Sequence, residues 1–139
     1  MKYTELKEKH LKETNEFPFG FAFSQEQFKE MMKKFGLKEK DTDKILSIGA
    51  GGYIRKSDKQ ALHEMWNRQR KEFEEEIEKD KKGTGFIYQM FRYELANHEY
   101  CITYDIEPTL DALGLTLEEI NKKQNLVKGL KKALDDYKN

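Results

Sequence analysis

Apolar positions along this chain recur at two spacings, and the places where the spacing changes mark out its elements. From Met1 to Glu16, Tyr3, Leu6 and His10 or Leu11 fall on one stripe of a helix whose other faces are charged. The stretch Phe17-Pro18-Phe19-Gly20-Phe21-Ala22-Phe23 then changes to period two. Phe19, Phe21 and Phe23 share one face of a strand while Gly20 and Ala22 leave the other nearly bare, which predicts close approach of a second layer. Pro18 belongs at the strand's start or on a sheet edge, because it has no N–H to donate.

Helical spacing returns after Ser24, which with Gln27 makes a capping box, and Phe28, Met31, Met32 and Phe35 carry the stripe. Gly36 stops this helix with Leu37 placed to close its end, a signal that Leu113-Gly114-Leu115 repeats. Ile45 to Ile48 reads as a strand, Gly49-Ala50-Gly51-Gly52 as a tight turn, and Tyr53 to Arg55 as the returning strand. Ser57 with Gln60 forms a second box and opens a long charged helix to about Lys82, with a thin apolar stripe of Leu62, Met65, Trp66, Phe73 and Ile77. Gly83-Thr84-Gly85 ends it. Phe86 to His98 reads as the central buried helix, with Ile87, Met90, Phe91 and Leu95 on one face. Tyr100 to Tyr104 alternates and is rich in β-formers, so a fourth strand is expected there. Asp105 to Pro108 turns into a short helix ending at Gly114. Thr116 with Glu119 caps a last helix reaching Tyr137, in which Gly129 is a weak point.

The pattern predicts a single α+β domain over residues 1–139, with a small, mainly antiparallel sheet of about three to four strands packed by about five to six helices. Charged residues are 37% of the chain, as are hydrophobic ones, which fits a folded domain with a heavily charged surface. Lys plus Arg is 26 and Asp plus Glu is 26, and this zero balance argues against coating nucleic acid or membrane by bulk electrostatics. Cys101 is the only cysteine, so no disulfide can close within the chain, and a cytoplasmic location in a bacterial cell is expected. No apolar run approaches membrane-span length, and no membrane contact is expected.

Reactive chemistry finds little purchase. Gly49, Gly51 and Gly52 with Arg55 offer an anion-binding loop in principle, making a small nucleotide-binding domain or enzyme the alternative function. Their spacing fits no phosphate-loop signature, and glycine is also the ordinary residue of a hairpin turn. His63-Glu64-Met65-Trp66-Asn67 begins like a zinc-protease helix, but Asn67 stands where the second histidine belongs. His98 and Cys101 have ligand-like spacing, yet a third ligand would have to arrive from another element. Glu94, Glu99, Asp105, Glu107 and Asp111 form a late acidic group that reads as solvated carboxylates. The expectation is no enzyme, no metal and no cofactor.

The long helix says more. Arg55, Lys56, Lys59, Arg68, Arg70 and Lys71 make its first half basic, and Glu72, Glu74, Glu75, Glu76, Glu78 and Asp80 make its second half acidic. Local i,i+4 pairs explain part of this sorting. The remainder points to a partner-binding surface of Tyr53, Arg55, Lys56, Lys59, Trp66, Arg68, Arg70 and Lys71, facing a host protein or nucleoprotein with possible RNA or DNA contact.

Three stretches carry a resemblance: Phe21-Ala22-Phe23-Ser24 with Glu26-Gln27-Phe28, Ser47 through Ser57, and Tyr93 through Asp105. Together they resemble a family of short, uncharacterised proteins carried by bacterial phages and other mobile elements. No activity is assigned to that family, so no residue role carries over. The resemblance implies a non-enzymatic accessory protein that modulates host machinery, for instance an anti-CRISPR inhibitor.

Overall fold

In the computed structural model, which describes residues 1–138, the periodic segments become eight α-helices and one three-stranded antiparallel sheet. The chain is α+β, as the pattern predicts. It divides into two compact units: unit 1 from Met1–His10 with residues 70–138, and unit 2 from Leu11–Gln69. Helix α1 (Tyr3–Glu16) and helix α3 (Lys59–Lys79) each contribute to both.

In unit 2 the bare positions of the aromatic segment determine the packing. Strand β1 (Gly20–Phe21) presents Gly20 to helix α2 (Gln25–Lys34). A Cβ added at Gly20 would lie 2.5 Å from Met31 Cγ and 2.6 Å from Phe35 Cζ, so only glycine admits this approach. Met31, Met32 and Phe35 are buried there with Ile45, and Phe28, Leu37 and Tyr53 pack around them. The aromatic face turns the other way: Phe21 is 59% and Phe23 75% exposed. The expected strand Phe19–Phe23 thus shortens to two paired residues. Helix α2 starts and stops where predicted. Ser24 Oγ accepts from Gln27 N, and past Gly36 (φ 73°) Leu37 N donates to Met32 O.

The glycine stretch is a hairpin turn. Strands β2 (Ile45–Gly49) and β3 (Gly52–Arg55) pair antiparallel from Ile45↔Arg55 to Gly49↔Gly52, and β1 adds to the free side of β3. Ala50 and Gly51 both have positive φ, 52° and 76°, the left-handed combination whose twist matches the flanking strands. The Phe23 ring lies where a Gly51 Cβ would be, and Ala22 N donates to Gly51 O. The predicted Ser57 cap does not form. Lys56–Asp58 makes a 3-10 turn in which Arg55 Nε donates to Asp58 Oδ2 at 2.8 Å, and α3 begins after it.

Unit 1 is built on helix α4 (Phe86–Asn97), whose Ile87, Met90, Phe91 and Leu95 have no exposed surface. Its entry is held by Asp80, whose carboxylate accepts from the backbone N–H groups of Gly83, Gly85 and Ile87. Four short helices follow: α5 (Tyr100–Thr103), α6 (Glu107–Leu113), α7 (Leu117–Asn121) and α8 (Gln124–Asp135), the last packing on α4. Gly129 of α8 is a packing requirement rather than a weak point. A Cβ there would come 2.3 Å from Ile87 Cγ2 and 2.8 Å from Gly83 O.

Two expectations in this unit fail. The last helix is interrupted at Lys123, which is extended (φ −127°, ψ 117°). Beyond the break, Asn125 Nδ2 donates to Ile77 O and Asp80 O, satisfying carbonyls at the end of α3. The predicted strand Tyr100–Tyr104 is a single helical turn bounded by left-handed Glu99 and Tyr104. Tyr104 N donates to Tyr100 O, and the Tyr100 ring meets Tyr104 and Tyr137 edge-on, at 5.7 and 5.1 Å between centroids. Aromatic packing within unit 1 overrides the local β preference.

Candidate interaction surface and a buried carboxylate

The residues singled out on and beside the long helix divide into those engaged internally and those left facing solvent. Tyr53 is half-buried and meets Phe28 edge-on, which makes it part of the unit 2 core. Arg55 is held by Asp58, and Arg68 forms an ion pair with Glu13. Arg70 lies in unit 1, where its Nε pairs with Glu74 at 3.1 Å and its two terminal nitrogens donate to Leu113 O and Gly114 O. It therefore closes the C-terminal end of α6. Lys71 also falls in unit 1 and is exposed.

What remains in unit 2 is Lys56 and Lys59, both exposed and with no ion pair among the described residues, and Trp66, 45% exposed. Lys59 and Trp66 stand seven residues apart on α3 with His63 between them, so the three share one face. The His63 and Trp66 rings meet edge to face, centroids 6.0 Å apart. Sequence reading placed Lys56, Lys59 and Trp66 in the surface and omitted His63, although its i−4 and i+3 spacing to the other two was visible. Gly49, Gly51 and Gly52, the alternative anion loop, form the hairpin turn, and their neighbour Arg55 is occupied by Asp58.

A second chemical cluster lies inside unit 1. Glu94 is only 1% exposed, and a carboxylate so buried requires partners. Tyr3 donates its hydroxyl to Glu94 Oε2, and Lys7 Nζ reaches the same oxygen at 2.7 Å. Asn97 Nδ2 donates to Oε1 at 3.4 Å, with His98 Nε2 3.9 Å away. Burial, followed by the hydrogen bond and charge of Glu94, raises the Tyr3 phenol well above the ordinary tyrosine range. Lys7 also lies over the Tyr93 ring, 4.9 Å from its centroid. The remaining late acids, Glu99, Asp105, Glu107 and Asp111, are exposed and do not join this cluster. Tyr3 and Lys7 are one helical turn apart, as are Glu94 and His98, a double i,i+4 pattern that could have flagged the site. Cys101 is exposed, and His98 faces Glu94.

Residues 2–136 match the Family of unknown function (DUF7659). The chain belongs to that family. No curated protein and no solved structure matches it. No helix of the DUF7659 chain, among its described residues, is long and apolar enough to cross a membrane.

Proposed function

We propose that this DUF7659 chain is a non-enzymatic binding protein that engages the nucleic-acid part of a host nucleoprotein through Lys56, Lys59, His63 and Trp66. The observation that carries the reading is an exposed indole on the same helix face as an unpaired ammonium, with a second one turn ahead of it. A base stacks on the one and phosphates meet the others, a combination tolerant of sequence. The finer form of the proposal is an accessory protein of a phage or mobile element that inhibits a complex such as a CRISPR effector. That form rests on the family resemblance of the sequence and on no residue of the surface itself.

Trp66 is the only tryptophan, so its intrinsic fluorescence reports on this surface alone. Titrating a single-stranded oligoribonucleotide at low salt should quench it. Lys56→Glu with Lys59→Glu should weaken binding and lower the salt slope by about 2, one per lost phosphate contact. Trp66→Ala, followed by anisotropy of a labelled oligonucleotide, should lose about 1–3 kcal/mol of binding. These side chains are solvent-facing, so melting temperatures should hold. An unquenched Trp66, or charge-reversed protein binding as tightly as the parent, removes the proposal.

A further inference from the structure

Unit 1 holds a cavity of about 450 Å³ where α5, α7 and α8 meet. Its floor is the buried pair Ile120 and Leu130 with half-buried Val127 and Leu134. Its wall is aromatic: Tyr100 stands nearly perpendicular to both Tyr104 (72°) and Tyr137 (78°). The mouth is left apolar, with Tyr104 66% and Leu117 44% exposed. A volume in this range with an apolar lining is typical of small-molecule sites.

Two features separate this cavity from a packing gap. The turn that positions Tyr100 and Tyr104 is bounded by two non-glycine residues in the left-handed region, Glu99 at φ 58° and Tyr104 at φ 54°. Such strain tends to collect at ligand-binding positions. The second feature is charge. Asp135 on the lining is answered by Lys138 at 2.9 Å, whereas Lys131, also on the lining, has no ion pair among the described residues. The lining therefore carries one uncompensated positive charge beside an apolar and aromatic surface. Burial also raises the Tyr137 phenol above its usual range, so the wall stays neutral.

We infer that this cavity is a binding site for an amphiphilic anion, an alkyl or aryl body carrying one carboxylate, with the body against Tyr100, Tyr104 and Leu130 and the carboxylate on Lys131. The inference rests on unit 1 alone and is independent of the oligonucleotide reading. The probe is 8-anilinonaphthalene-1-sulfonate, with its uncharged analogue N-phenyl-1-naphthylamine for comparison. The native chain should give saturable, blue-shifted emission with the sulfonate and weaker binding of the neutral dye. Laurate or 1-naphthoate should displace it, and whichever acts at lower concentration identifies the preferred body. Lys131→Glu should weaken the sulfonate about fivefold, as expected for losing a solvent-facing charge contact, while Lys131→Arg retains it. Tyr104→Ala with Leu117→Ala should abolish saturation. Near-ultraviolet dichroism of each variant separates a lost site from a loosened fold, because dye emission also rises on molten states. Equal affinity for the two dyes, or emission unchanged in the Tyr104 and Leu117 variant, overturns the inference.

Discussion

At single positions, competing effects can be ranked by size. Gly129 sits inside α8, where alanine improves intrinsic helix stability by up to about 1 kcal/mol. The same methyl group would overlap Ile87 Cγ2 and Gly83 O, and overpacking of this kind costs about 1–3 kcal/mol. Overlap with a backbone oxygen is hard to relieve. Gly129→Ala is therefore expected to lower the denaturant midpoint, the reverse of what propensity alone predicts. Tyr3 gives a second test, with a defined sign. Its folded phenol ionises at higher pH than in the unfolded chain, so its contribution is complete below the unfolded value of about 10 and is lost as pH rises beyond it. Thermal melts from pH 9 to 11 should show the parent losing stability more steeply than Tyr3→Phe, by at most about 1.4 kcal/mol per pH unit. Parallel curves would mean that the phenol does not stay protonated against Glu94.

At the scale of elements, the long helix was legible in outline, but the employment of its charges was not. Its thin apolar stripe is real, with Leu62 and Ile77 buried. Its arginines looked available because their partners are remote: Glu13 is 55 residues from Arg68, and the Leu113 carbonyl is 43 from Arg70. Local charge pattern carries no trace of such pairings. The consequence is measurable. Arg70→Glu removes two hydrogen bonds from the end of α6 and puts a negative charge beside its carbonyls, so stability should fall by about 1–3 kcal/mol. A melting temperature unchanged by this reversal would show that the guanidinium is not engaged at Leu113 and Gly114. Tyr100 to Tyr104 was misread for a related reason. Its alternation is a true β signal, and the edge-on contact of Tyr100 with Tyr137, 37 positions downstream, is absent from the local pattern.

For the molecule as a whole, the class of fold was open to reading because helix periodicity, caps and glycine stops agree with one another over most of the chain. The stops at Gly36 and Gly114 and the boxes at Ser24 and Thr116 all form, and each depends on residues within a few positions. The buried Glu94 cluster was the hardest feature to read, because it joins the first helix to the fourth. One contact in it bears on how the chain is made. Tyr3 and Glu94 are separated by 91 residues, which at a bacterial ribosome amounts to roughly 5–20 s of synthesis. Throughout that interval Tyr3 and Leu6 have emerged without the α4 surface that later buries them. The nascent first helix is left to trigger factor or to solvent until its carboxylate arrives.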